Sequence, residues 1–449
     1  MVRSTPRVLI VAAQALRRSS GFGVTMANLL QDYPVGYLRQ IYMDVIEPDS
    51  QMCGGVWRLG IENVPGDRFV RPLLNRLGLV VGRAGASIPS SAPSDSVPVS
   101  GTMLRLRSLL RAHADLVPLR IDPNLERWVH EFKPDVILTI LGNIRMSRLA
   151  VSLSERMDCP MLIYFLDDWP LTHYADTCMN WIPKRKLRCV VRKAVERSPL
   201  LLCISEDMAV EYCSRYKRRC EAFVNCAELG DYVPAVARNV GVIRFAYVGG
   251  LHLERWRNLV DLGVVLRNMS VADGNTRIEL VVHAPASDIS RFGNNLVEAG
   301  IVLGKSLSAE EVPGVLLEAD VLVHVESFLP EVIGFCRLSL STKIPQYLAA
   351  GRPILGYGPA LLTSNRYIEK HYAGLVVGMQ DHDCLMDAIS RLRDDGKLRL
   401  RMGMNAWNAA HSYHDAGRQR KRFRKIITEV ACALKPGIIL ARQGTELEK

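Results

Sequence analysis

Ser341, Thr342 and Lys343 stand directly ahead of Ile344, Pro345 and Gln346, and the run continues Tyr347-Leu348-Ala349-Ala350-Gly351-Arg352-Pro353-Ile354-Leu355. The pattern is a polar loop, a short helix, a glycine turn and a buried strand. Proline suits a first helical turn, where its missing N–H costs nothing. Backbone amides at a helix start, flanked by hydroxyls and an ammonium, form a diphosphate site. Ser341, Thr342 and Lys343 would face the phosphates, and Gln346, one turn on, would reach ribose hydroxyls. An ordinary capped helix that happens to carry a lysine fits the same residues.

Other residues with chemical potential follow apolar runs. Asp167-Asp168-Trp169-Pro170 succeeds Met161 to Leu166. A carboxylate there can orient or deprotonate a hydroxyl, or it can cap a turn before Pro170. A shared metal is the weaker reading, because neighbouring side chains on extended backbone point opposite ways. Gly21-Phe22-Gly23 follows Val8 to Val11, and Gly249-Gly250 follows Val242 to Val248 with Arg255 and Arg257 beyond. Glycine at such places lets backbone approach a phosphate closely. Neither loop completes G-x-G-x-x-G, and no ribose-binding acid stands in the expected context, which argues against a dinucleotide oxidoreductase. His173 and His252 lie near these loops and also read as structural residues. The eleven cysteines include no C-x-x-C pair, so a structural zinc is not expected and the pattern suits a reducing compartment.

These residues need elements to hold them. Strands are expected at 8–11, 134–140, 161–166 and 200–204, with a helix over 24–30. The alternation then restarts, with strands at 242–248, 278–283, 321–325, 353–355 and 375–377 and helices from about Glu254 and Asp381. Ser308 and Glu311 have the spacing of a capping box ahead of a helix. The whole reads as α/β, two doubly wound Rossmann-like domains joined between about Asn225 and Asn239. Residues 84–101 are rich in Ser, Pro, Ala and Gly and read as a flexible loop.

The 449 residues are 48% hydrophobic and 23% charged, which excludes a disordered or fibrous chain. The formal charge of +11 favours an anionic partner, whether a phosphorylated ligand or an acidic membrane face. Arg418, Arg420, Lys421, Arg422, Arg424 and Lys425 form a basic run near the end. It lacks a recognition motif and has few interleaved aromatics, so nucleic acid is not expected; a solvated helix face or a membrane-surface helix fits. No apolar run approaches the ~18 residues of a membrane helix. Val8 to Leu16 after Arg3 and Arg7 imitates a signal peptide, but it is short and reads better as a first buried strand.

The segment from Ser341 to Leu355 resembles the donor-binding motif of GT-B glycosyltransferases of the large retaining group, family-4-like enzymes of polysaccharide and glycolipid assembly. Glu318 to Ser327 is similar to the strand and acidic loop leading into that site. Tyr247 to Leu251 with Arg255 and Arg257 is similar to the first strand and phosphate-facing loop of the donor domain. Val224-Asn225-Cys226 resembles the interdomain hinge. The resemblance spans most of the chain and is weakest over 45–130.

It implies two Rossmann-like domains facing a cleft: an acceptor domain over 1–235 with an insertion at about 81–102, a nucleotide-sugar domain over 236–412, and a tail over 413–449 whose helix packs back on the first domain. It implies donor contacts from Gly21, Gly23, Gly249, Gly250, Glu326, Arg337, Ser341, Thr342, Lys343 and Gln346. Asp167, Asp168, Lys343 and Arg255 are the implied catalytic set. No metal is expected, because the protein supplies the positive charge itself; the co-substrate is a nucleotide-diphosphate sugar. Transfer with retention to a saccharide or lipid-linked acceptor is implied, in the cytoplasm or on the inner face of its membrane. The family often carries two glutamates that bracket seven residues. Here Leu338 and Gln346 stand in those places, and Glu326 and Glu331 are candidates to substitute. These departures keep two alternatives open: a nucleotide-sugar epimerase of the same fold, or an inactive binding subunit.

Overall fold

Val8-Leu9-Ile10-Val11 is buried along its whole length and forms strand β1 (Val8–Val11), as an all-apolar run does when helices cover both faces of a parallel sheet. A computed structural model of the chain describes residues 5–17, 21–44, 46–49, 51–60, 63, 65, 108–110, 112–174, 178–230, 234, 241–272 and 277–433. The expected loop at 84–101 and the insertion at about 81–102 lie outside these residues. So do most of the positions between Gly230 and Gly241.

The chain divides into two compact units, residues 1–223 with 420–449, and residues 224–419. The break between Phe223 and Val224 falls just upstream of the expected joint.

In unit 1, β1 pairs in parallel with β2 (Leu38–Tyr42) on one side and β4 (Val136–Thr139) on the other. With β3 (Gly55–Arg58), β5 (Met161–Phe165), β6 (Leu201–Cys203) and β7 (Cys220–Ala222), the sheet runs β3-β2-β1-β4-β5-β6-β7. In unit 2, β8 (Val242–Val248), β9 (Arg277–His283), β10 (Val302–Leu303), β11 (Val321–Val325), β12 (Ile354–Tyr357) and β13 (Gly374–Val377) run β10-β9-β8-β11-β12-β13. Every described pairing is parallel. In each sheet the chain order reverses at one central pair, β1/β4 and β8/β11. Open α/β sheets receive ligands at the carboxyl ends of such a pair.

Two local expectations are corrected. The helix after β1 spans Gly21–Leu30, so Gly21 and Gly23 are helical residues of its first turn and not a loop. Glu311 does accept the Ser308 amide at 2.8 Å, but the helix there is Val312–Glu318 with Glu311 at its N-cap. The reach-back closes a turn ahead of the helix, whose start is set by Pro313.

The last helix, Ala416–Cys432, belongs mostly to unit 1. Phe423 is fully buried and its ring centre lies 5.2 Å from that of Phe223. Three of its arginines are spent inside the unit. Arg420 donates to the Asn28 carbonyl at 2.8 Å, Arg422 reaches the Ala222 carbonyl and Glu221 at 3.1 and 3.0 Å, and Arg424 donates to the Asp32 carbonyl.

Candidate functional site

The helix Lys343–Ala349 is fastened to the end of β8 by two side chains one turn apart. Lys343 Nζ donates to Tyr247 Oη at 2.6 Å and lies 4.0 Å from the centre of its ring. Tyr347 Oη accepts the Val248 amide at 3.0 Å and donates to the Val248 carbonyl at 3.2 Å. Tyr247 passes its own proton to the Gly250 carbonyl at 2.6 Å. This fastening brings the Ser341–Gln346 segment to the switch point of unit 2.

Gly249 makes the close approach. Its φ is +148°, and a Cβ there would stand 2.3 Å from Lys343 Cε and 2.7 Å from Nζ. A side chain would push the ammonium off Tyr247. Gly250 abuts the His252 ring, and the Leu251 amide is held by Asp288 at 2.7 Å.

Across β8 stands the end of β11. Glu326 is 3% exposed and Arg255 7% exposed. Arg255 Nη2 donates to Glu326 Oε1 at 2.9 Å and Nε donates to Oε2 at 3.2 Å. Such a fork against a carboxylate is the strongest geometry an ion pair offers. The remaining Arg255 nitrogen, Nη1, lies 3.2 Å from His252 Nε2, which makes that ring nitrogen the acceptor. Asn258 Nδ2 holds the Glu326 carbonyl at 2.8 Å. Gly358, with φ +156°, passes so close that a Cβ would meet the Glu326 carbonyl at 2.5 Å. His324 is fully buried, with Nε2 3.5 Å from Glu326 Oε1 and neither ring nitrogen hydrogen-bonded.

The charges tune one another. Burial pushes the Glu326 carboxyl up, but Arg255 and its neighbours hold it below the usual value. Burial, with the Arg255 cation adding to it, drives the Lys343 ammonium well below its usual range, while Glu326 opposes. Burial, Arg255 and Lys343 bring His252 down to about 3. Burial brings His324 down to about 3 as well, with Glu326 opposing. Both histidines are therefore neutral; Arg255 is the site's fixed positive charge, balanced by Glu326, while burial and Arg255 oppose a charge on Lys343.

The structure brings Gly249, Gly250, Arg255, Glu326 and Lys343 together. Arg337 and Ser341 are anchored to the start of the Thr363–Lys370 helix: the Arg337 carbonyl accepts from Thr363, and the Ser341 amide donates to Ser364 Oγ at 2.9 Å. The Thr342 carbonyl accepts from Asn225 at 3.3 Å. Gln346 is half-buried on the same short helix, and Leu338 is a core residue. Glu331, by contrast, is exposed. Sequence reasoning left Tyr247, Asp288 and His324 without roles; the tyrosine directly before Val248-Gly249-Gly250 was the available signal.

Gly21, Gly23, Asp167 and Asp168 belong to unit 1. Asp168 is 2% exposed and already engaged. It accepts from Tyr212 Oη at 2.8 Å and from Arg215 at 2.7 and 3.2 Å, among the rings of Phe165, Trp169 and Tyr216. Its place before Trp169–Thr172 brings no side-chain cap. Among the described residues no group of three or more His, Cys, Asp or Glu is placed to hold a metal.

A pair of Rossmann-like units with these strand orders is the fold class of GT-B proteins. HepE from Anabaena, solved in complex with UDP, matches 94% of this chain and 100% of its own, with a TM-score of 0.60 and 10% identity. A sucrose-phosphate synthase from Thermosynechococcus elongatus matches 95% and 99%, with a TM-score of 0.58 and 12% identity. A UDP-forming trehalose-phosphate synthase from Burkholderia vietnamiensis matches 94% and 100%, with a TM-score of 0.56 and 12% identity. No protein-family model and no curated protein matches the sequence.

Proposed function

We propose that this chain is a glycosyltransferase that takes a sugar from a nucleoside-diphosphate sugar, with the donor site at the β8/β11 switch point of unit 2. The observation that carries the reading is the placement of Lys343 and Arg255 around Gly249, where backbone and two cations converge. Glycosyl transfer builds negative charge on the departing phosphate, and preorganised cations aimed at that charge are the main catalytic lever. In this reading Lys343 meets the diphosphate. Glu326 and His252 hold the Arg255 guanidinium in place, so that its charge is preorganised beside Lys343. Gly249 and Gly250 let the backbone approach, while Arg337, Ser341 and Thr342 line the phosphate side. Gln346 offers an amide to ribose hydroxyls and carries no charge.

A uridine nucleotide is the first donor to test, since HepE was solved with UDP and the trehalose-phosphate synthase forms it. The two cations supply the charge a metal would, so we propose metal-free transfer with retention by same-face attack. The proposed acceptor is a saccharide or lipid-linked saccharide in polysaccharide or glycolipid assembly. With Asp168 committed to Arg215 and Tyr212, Asp167 is the carboxylate proposed to orient or deprotonate the acceptor hydroxyl.

The test is a thermal-shift panel of nucleotide sugars and free nucleotides on the wild type and on Lys343→Ala. A ligand at a hundred times its dissociation constant adds about 2.7 kcal/mol to the folded state. One nucleotide sugar should shift the wild type and leave the variant unmoved. A folded wild type that responds to none of them sinks the donor site.

A further inference from the structure

We infer that the helix Trp181–Glu196 and the turn leading into it form a docking surface for an anionic lipid bilayer. Four large apolar side chains stand in the open here: Leu171 at 39%, Met179 at 61%, Trp181 at 60% and Ile182 at 43% exposure. Met179, Trp181 and Ile182 lie at the start of the helix, and Leu171 stands on the short helix Trp169–Thr172 that precedes it. The core face of the Trp181–Glu196 helix is supplied by Pro183, Leu187, Val190, Val191, Ala194 and Val195. On the opposite side Trp181, Arg185, Arg188 and Arg192 recur at spacings of four, three and four, which places them on one stripe. At ~1.5 Å per residue the stripe is roughly 16 Å long. Lys184, Lys186 and Lys193 flank it, and the helix contains one acidic residue, Glu196, at its far end.

The combination selects the partner. An exposed Trp beside aliphatic side chains seats at the headgroup boundary, and a run of Arg and Lys along the same face meets lipid phosphates. The basic run of the last helix differs, because Arg420, Arg422 and Arg424 are bonded within unit 1. The chain's excess charge is thus available on the Trp181–Glu196 helix and largely consumed on the other. Among the described residues no helix is long and apolar enough to cross a membrane.

Position adds a reason. The Trp181–Glu196 helix leaves the carboxyl end of β5 and returns to the start of β6. Its first turn, with the apolar cluster, therefore lies at the carboxyl edge of the unit 1 sheet, where such sheets receive ligands. A lipid-linked acceptor would be met there. That link rests on the glycosyl-transfer reading; the docking does not.

The experiment is co-sedimentation of the full chain, without nucleotide, with vesicles of phosphatidylcholine alone and with one third phosphatidylglycerol. Binding should need the anionic lipid and weaken with salt. Trp181→Ser with Ile182→Ser, and separately Arg185→Glu with Arg188→Glu, should each lower partitioning on the order of tenfold. Lys421→Glu with Lys425→Glu makes the same change in net charge on the last helix and should alter it by no more than about twofold. Each variant is checked by its melting temperature and its nucleotide shift, which should stay as in the wild type. Absent vesicle binding, equal binding to neutral vesicles, or equal loss in the Lys421/Lys425 variant overturns the proposal. So does self-association in sedimentation velocity that Trp181→Ser abolishes, which would assign the face to a second copy. A retained nucleotide shift without vesicle binding sinks the docking alone, and the reverse sinks the donor site alone.

Discussion

Arg255 and Glu326, 71 residues apart in the chain, meet through two guanidinium nitrogens and both carboxylate oxygens at 2.9 and 3.2 Å. Removing one member of a buried pair leaves the other charge uncompensated, at about 3–5 kcal/mol. Glu326→Gln should therefore lower the unfolding free energy from urea titration by that amount and weaken nucleotide binding. The pH dependence has a definite sign. The folded Glu326 carboxyl titrates below its unfolded value, so the gap between wild type and variant is full above an unfolded value of about 4.3. It closes as pH falls through the depressed folded value. A gap that persists unchanged into acid would remove the ion pair from the account.

Lys343 gives a calorimetric prediction. Burial and Arg255 hold its ammonium far below the usual range. An arriving diphosphate favours the charged form and raises that value. At mildly alkaline pH nucleotide binding should therefore take up protons, seen as a heat that varies with the ionisation enthalpy of the buffer. Lys343→Ala should bind weakly and take up none.

His324 is buried with neither ring nitrogen hydrogen-bonded and titrates near 3. Between about 6.5 and 3 the unfolded chain binds its proton and the native chain does not. Stability therefore falls as pH drops through that window, by up to about 1.4 kcal/mol per pH unit. His324→Leu should remove this slope, so its advantage over wild type is larger at pH 5 than at pH 7.5 in paired urea titrations. An advantage independent of pH would contradict the assignment.

Gly249→Ala should reproduce the loss of nucleotide response seen in Lys343→Ala. At φ +148° a Cβ is strained and stands 2.3 Å from Lys343 Cε. Backbone strain of this kind costs about 1–3 kcal/mol, so the melting temperature should fall as well. A variant that keeps its nucleotide shift would show that the ammonium can be moved without consequence.

The two adjacent aspartates should separate cleanly. Asp168→Asn breaks its hold on Arg215 and should melt early, with transfer intact well below the melting point. Asp167→Asn should lose transfer in protein that is still folded. The opposite pattern would exchange their roles.

The strands legible in the sequence are those dominated by apolar residues, such as Val8 to Val11 and Met161 to Phe165, and they occur where expected. Four strands were missed: Leu38–Tyr42, Gly55–Arg58, Cys220–Ala222 and Val302–Leu303. The last three are sheet edges and carry little pattern. The first hides behind Gln40, a buried polar residue whose amide satisfies the Leu16 amide and the Gln14 carbonyl at 3.0 and 2.9 Å. In the site, the contiguous run from Ser341 to Gln346 was readable because helix starts have local signatures. The Arg255–Glu326 pairing was not, since no local rule reports which cation a distant carboxylate meets. The engagement of Asp168 was hidden for the same reason: its partner Arg215 stands 47 positions away.

The last helix also fixes an order of events during synthesis. All seven strands of the first sheet have emerged once Ala222 leaves the ribosome, yet Arg422, which clasps that residue's carbonyl, follows 200 positions later. At ribosomal speeds of ~5–20 residues per second the wait is roughly 10–40 s. Through that interval the surface that Phe423, Ile426, Ile427 and Val430 will cover stays wet. A nascent chain cut short before this helix is an unfinished first unit, and a chaperone that binds apolar surface has its opening there.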